Sequence, residues 1–359
     1  MCIFLSISFC TIVLITFVEC FPIHKCNPRT RHALASFIAE NWKLAQNELG
    51  IANFQHEDAE KALAVSQIYQ YCPNALTWLP KSKPSINYAV IFKCANEAIG
   101  RNLDVYANKT KTVKNQVKHY GGDILNIYQA LTSKLENTSS DVFTFIRDPL
   151  SRFYSGFDES MYRTLQHFKR FQPDLPPDNV TTSLLAYHLD TLFKGAIPVV
   201  AHATMRPPPN MPPGPMIFEL YHIYPQTNSF FEYPITIVGH LENFTSDWKQ
   251  VVTAFSITAP FDDRAGFHAT AIHHPRYSAN SARATFPKLP PVRALLKQLF
   301  QESPQYLRAV CHYLFVDYAC FPEYPLPAGC EHLSAARAEA VRRLDQAYLG
   351  AFGQAPSTA

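Results

Sequence analysis

The chain lacks an excess of either charge. Its 32 Lys and Arg stand against 29 Asp and Glu, a net charge of +3 in 359 residues, with a pI near 8.3. No run of Lys or Arg breaks the balance, which excludes nucleic-acid binding driven by bulk electrostatics and requires any anion site to be local. Internal repeats are missing, so the chain is not a repeat array. The cysteine spacings do not fit a zinc site, and no carboxylate pattern demands a metal. The Walker sequence G-x-x-x-x-G-K-S/T is absent as well, and with it the main mark of a P-loop nucleotide kinase. What remains is 47% hydrophobic, enough for one large core or two small ones, and nothing in it suggests a fibre or disorder.

The first 18 residues, MCIFLSISFCTIVLITFV, carry no charge. They read as a signal peptide or a short membrane anchor spanning 1–20, and either sends the rest into the secretory pathway. Val18 and Cys20 suit a cleavage site, and the basic residues Lys25, Arg29 and Arg31 lie on the C-terminal side. Sequons at Asn108, Asn137, Asn179 and Asn243 fit a luminal chain. In an oxidising lumen Cys26 is expected to pair with Cys72, and two of Cys311, Cys320 and Cys330 with each other.

Apolar spacing predicts helices over 30–49 and 56–71, an N-terminal helical region within 21–84. The run INYAVIFK, 86–93, reads as a strand feeding a helix, and 122–136 as a second helix. A strand follows over 141–146, then a helix from about 150 to 171. RPPPNMPPGP, 206–215, is a loop. A strand at 235–239 turns into a helix near Asn243, and helices over 292–316, broken at Pro304, and 333–351 close the chain. Strands alternating with helices predict a three-layer α/β/α domain around a mainly parallel central sheet, placed at 85–330, with a C-terminal helix and tail over 331–359.

Such sheets bind ligands at the carboxyl ends of their strands, where the next helix offers free N–H groups. Two predicted strands end there with a cation, Lys93 and Arg147. Lys93 followed by the small Cys94, Ala95 and Asn96 lets backbone amides approach an anion beneath the ammonium. Arg147 and Ser155 offer a guanidinium fork and a hydroxyl to one phosphate.

The stretch FTFIRDPLSRFYSGF closely resembles the 3′-phosphate-binding segment, R-D-P-x-x-R-x-x-S-x-F, of the Golgi carbohydrate sulfotransferases, which use 3′-phosphoadenosine 5′-phosphosulfate (PAPS). IFKCANEAI sits where that family has its 5′-phosphosulfate loop. HIYPQ (222–226), VGHLENFTSDW (238–248) and FVDYACFPEYP (315–325) resemble, in order, further elements of the chondroitin/dermatan-type enzymes. The resemblance implies a P-loop-like sulfotransferase fold and sulfuryl transfer from PAPS to a glycan hydroxyl in the Golgi lumen, with no metal. It puts the 3′-phosphate on Arg147 and Ser155 and the 5′ end on Lys93 and residues Cys94, Ala95, Asn96, Glu97 and Ala98. SARATFPKLP resembles a cofactor-side loop and adds Arg283. Lys93 is the expected charge stabiliser of the leaving phosphate.

A base must take the acceptor's proton, and the candidates are His222, His119, Glu97 and His240. The family's 5′ loop carries Ser or Thr where this chain has Asn96 and Glu97, so Glu97 is read either as an acceptor-facing base or as a first-turn residue complementing the helix dipole. A glycosaminoglycan-like acceptor would want the loop cations Lys169, Arg170, Arg206 and Arg276. HATAIHHPRY, 268–277, reads as a loop. The competing readings are an inactive sulfotransferase-like glycan-binding protein and a nucleotide kinase.

Overall fold

The computed structural model describes residues 23–51, 74–78, 86–91, 93–106, 141–171, 180–193, 222–257, 261 and 292–353. At its centre is a four-stranded sheet in the order β1 Asn74–Trp78, β2 Ile86–Val90, β3 Val142–Ile146 and β4 Ile237–His240. β2, β3 and β4 run parallel, while β1 is an antiparallel edge on β2. Every residue of β2 and of β3 is buried, so the sheet is covered on both faces, as strands in a parallel α/β sheet must be. The fold is the expected α/β with a mainly parallel sheet. β1 is the strand the sequence did not announce: its opening Asn74 and Ala75 have little strand preference, and pairing with β2 is what sets it.

The helices are α1 Ala35–Glu48, α2 Asn96–Tyr106, α3 Pro149–Phe171, α4 Thr182–Phe193, α5 Thr227–Glu232, α6 Phe244–Ala254, α7 Val292–Glu302, α8 Pro304–Tyr313, α9 Phe315–Cys320 and α10 Ser334–Phe352. Pro304 restarts the chain as the first residue of α8, where its missing N–H costs nothing. Predicted helices 56–71 and 122–136, the leader and the loops at 206–215 and 268–277 lie outside the described residues. Among those described, no helix is long and apolar enough to cross a membrane.

Aromatic packing fixes the sheet. Tyr88 and Phe143 stack across β2 and β3 with ring centroids 4.9 Å apart, and Phe145 lies against Phe244 and Trp248 of α6. Gly239 lets Phe145 settle on β4, since a Cβ there would stand 2.4 Å from the ring.

The disulfides correct one expectation. Cys26 pairs with Cys320, 294 residues away, and not with Cys72, which lies outside the described residues; Cys311 pairs with Cys330. Nearness in sequence misled because the N-terminal segment docks on the chain's far end. α1 packs on α8, Arg308 of α8 reaches Glu48 of α1 at 2.7 Å, and the His24 N–H donates to the Ile235 carbonyl at 2.8 Å.

Candidate active site

Beyond Ile91, residues 93–95 form a turn in which Lys93 and Ala95 take φ of 67° and 59°. Left-handed backbone at a non-glycine residue costs roughly 1–2 kcal/mol, so this turn is held by its surroundings. Glycine would relieve the strain but carries no ammonium. Positive φ at such turns points amides to one side, and the N-terminus of α2 follows at Asn96. Lys93 Nζ lies 3.1 Å from Glu159 Oε2 of α3, with side chains 24 and 30% exposed, so the pair is open to a competing anion.

β3 exits as Arg147-Asp148-Pro149. Asp148 Oδ1 accepts the Ser151 N–H at 2.7 Å and so caps α3, whose first residue is Pro149. Arg147 and Ser155 are both partly exposed. Ser155 and Glu159, four apart, share one face of α3. Because Glu159 reaches Lys93, that face looks towards the β2 exit.

The two exits meet at a single atom. Gln226 Oε1 accepts the Arg147 N–H at 2.9 Å and the Cys94 thiol at 3.3 Å, while Gln226 Nε2 donates to the Arg147 carbonyl at 2.7 Å. Cys94 is in no disulfide, and burial pushes its thiol up to about 12, which keeps it an S–H donor.

The downstream motifs converge on the same place. Gln226 closes HIYPQ, and its own N–H is held by Asp317 Oδ2 at 3.0 Å; Asp317 Oδ1 also accepts the Thr227 N–H and hydroxyl, each at 3.0 Å. Burial pushes the Asp317 carboxyl up, against the opposing pull of these donors and of the Arg152 charge. Glu242, in VGHLE, accepts the Asp148 N–H at 3.1 Å and the Tyr324 hydroxyl at 2.9 Å. Three separated motifs therefore build one cradle around the β3 exit.

Segment 222–226 also lies along α3. Arg152 is 2% exposed and its guanidinium donates to the Tyr224 carbonyl, so the second arginine of the RDPLSR stretch is structural. One turn on, a Cβ on Gly156 would stand 2.0 Å from the His222 carbonyl oxygen. Glycine inside a helix costs roughly 0.5–1 kcal/mol against alanine, whereas forcing backbone apart costs roughly 1–3 kcal/mol or more. The contact decides the sign: Gly156→Ala is expected to destabilise the protein by about 2 kcal/mol, read as a lowered urea midpoint with unchanged m-value. A raised midpoint would contradict the packing.

The structure places Cys94 and Ala95 in the β2 exit turn and Asn96, Glu97 and Ala98 in the first turn of α2, with Ala98 buried; the Glu97 side chain, His119 and Arg283 lie outside what is described. His222 is 3% exposed, under α3. His240 sits at the β4 exit, its Nδ1 3.3 Å from Asp247 Oδ2 and its Nε2 3.0 Å from Glu323 Oε1. The hydrogen bond to Glu323, assisted by Asp247, raises its pKa above 6.5 against the effect of burial. A raised folded pKa contributes stability that is complete below the unfolded value of 6.5 and is lost as pH rises through the folded value. The destabilisation caused by His240→Gln should therefore be greatest below pH 6.5 and shrink at alkaline pH; denaturant midpoints at the two ends test this, and a pH-independent difference would refute it.

Glu159, Gln226, Glu242 and Asp317 were not singled out from the sequence, although the last three stand inside the motifs that were. A hydroxyl and two cations thus stand at adjacent parallel strand exits, the place where α/β sheets of this kind collect their ligands. The chain's residues 79–325 match the model of the sulfotransferase family, and the chain belongs to that family. No curated protein matches it. No solved structure matches it either.

Proposed function

We propose that this sulfotransferase transfers the sulfuryl group of PAPS to a hydroxyl of a glycan, glycosaminoglycan-like in charge, in the Golgi lumen. The observation that carries the reading is the meeting of the two exits on Gln226 Oε1, which sets Lys93 and Arg147 on adjacent turns and so supports a single ligand shared between them. Arg147 and Ser155 hold the 3′-phosphate, and residues 93–98 hold the 5′-phosphosulfate.

The S–O bond to the leaving phosphate breaks as the acceptor oxygen bonds sulfur. Negative charge grows on the bridging oxygen, and the Lys93 ammonium, released from Glu159, neutralises it. The acceptor's proton passes to a base, for which His222, His119, Glu97 and His240 are the candidates. No step requires a metal.

Incubation with PAPS and a panel of desulfated glycans tests this. Sulfate incorporated into at least one member is the expected result. Nucleotide binding with no transfer to any member would leave an inactive glycan-binding protein instead.

A further inference from the structure

The proposed roles above concern side chains that would touch the nucleotide or the acceptor. What holds the ligand loops in mutual register is a separate matter: besides the partly exposed Lys93–Glu159 pair, a buried connection runs through Gln226. Gln226 is 1% exposed. Its carboxamide pairs with both the N–H and the C=O of Arg147, at 2.9 and 2.7 Å. This is the pattern a neighbouring strand would offer, supplied by a side chain just beyond the last ladder pair, Ile146 with His240. The oxygen's remaining capacity takes the Cys94 thiol at 3.3 Å, within the strained 93–95 turn. From below, Asp317 fixes the Gln226 backbone, and Arg152 fixes the carbonyl of Tyr224 two residues earlier.

We infer that Gln226 is a positioning residue for sulfuryl transfer: its carboxamide ties the Lys93–Ala95 turn to the β3 exit and so sets the separation of the two groups that grip the nucleotide's ends. The inference rests on the PAPS reading above for its consequence, though not for the tie itself. Only a carboxamide serves here among ordinary side chains, because donor and acceptor must stand side by side without charge. Its loss removes both of these bonds from the part-buried Arg147 peptide groups and takes the one buried side-chain tie from the strained turn, leaving it the partly exposed Lys93–Glu159 pair. A mis-spaced site should then lose both nucleotide affinity and rate, since transfer depends on alignment.

Two variants of the full chain test this. Gln226→Met keeps the shape and removes both polar atoms. Gln226→Glu keeps the shape but turns a carboxylate towards the Arg147 carbonyl; once protonated, it again offers one donor and one acceptor. Hydrogen exchange reads the tie without any ligand, and calorimetry with 3′-phosphoadenosine 5′-phosphate reads its consequence.

Peptides covering 93–98 and 147–152 should exchange faster in Gln226→Met, with nucleotide affinity reduced by about tenfold and kcat by at least as much. In Gln226→Glu the deficit relative to wild type, measured at each pH, should shrink as pH falls and the buried carboxyl protonates, which a purely structural role would not produce. Unchanged exchange of both peptides in folded Gln226→Met would overturn the inference, as would faster exchange with wild-type affinity and kcat. If the wild-type chain bound no nucleotide, the PAPS reading would fall while faster exchange would still support the tie; the two failures are thus distinct.

Discussion

Lys93→Ala is expected to lose turnover by about 10²–10⁴-fold, the range seen when a charge-stabilising group is removed from a transfer reaction. The effect should fall on the rate. In the ground state the ammonium is already paired with Glu159 at 3.1 Å in a partly exposed site, and such pairs are worth roughly 1 kcal/mol or less. Exchanging that partner for an anion of the donor gains little, so nucleotide affinity should change by less than about tenfold. In the transition state the same cation meets charge that did not exist before. Alanine retains the Cβ, so the left-handed backbone at φ 67° stays as strained as in the wild type and the comparison isolates the ammonium. Initial rates with PAPS, alongside calorimetric titration with 3′-phosphoadenosine 5′-phosphate, separate the two effects. A rate within tenfold of wild type would remove Lys93 from the chemistry.

Arg147→Ala should behave in the opposite sense, losing nucleotide affinity first. Two charge-assisted hydrogen bonds from one guanidinium to a phosphate, at roughly 1.5–3 kcal/mol each, correspond to a loss of about 10²-fold or more. The cradle is spared, because Gln226 holds the backbone of Arg147 and not its side chain. Thermal stability close to wild type should therefore accompany the lost binding. Arg147→Lys should recover only part of it, since an ammonium lacks the fork that matches two phosphate oxygens. Equal affinity in wild type and Arg147→Ala would end the assignment of this residue to the nucleotide.

Much of the fold was legible because its central strands are mostly apolar runs, and β2, β3, β4 and α3 fall within a few residues of their predicted places. The proposed anion site stood out in the sequence for a different reason: charge at the end of a buried strand is costly unless it has work there. Other features had no local signal. Lys93 and Ala95 adopt a backbone that glycine usually marks, and neither is glycine. The Cys26–Cys320 bond depends on α1 docking against the C-terminal helices, a contact that no spacing encodes.

Gln226, Glu242 and Asp317 are single polar residues with no local periodic signal, Asp317 in α9 and the others at turns, and only the closure of the sheet brings 79 and 94 residues of separation down to hydrogen-bond distance. The same closure changes how the RDP stretch is read. Asp148 caps a helix, Arg152 and Gly156 seat the 222–226 segment, and Arg147 and Ser155 remain as the proposed phosphate contacts.

A crystal structure of the chain with 3′-phosphoadenosine 5′-phosphate is the most direct measurement of whether the two strand exits share one nucleotide. The 3′-phosphate is predicted within hydrogen-bond distance of the Arg147 guanidinium and the Ser155 hydroxyl, with the 5′-phosphate against the 93–96 turn and the Lys93 ammonium. A nucleotide bound elsewhere, or one touching a single exit with its other phosphate in solvent, would contradict the reading.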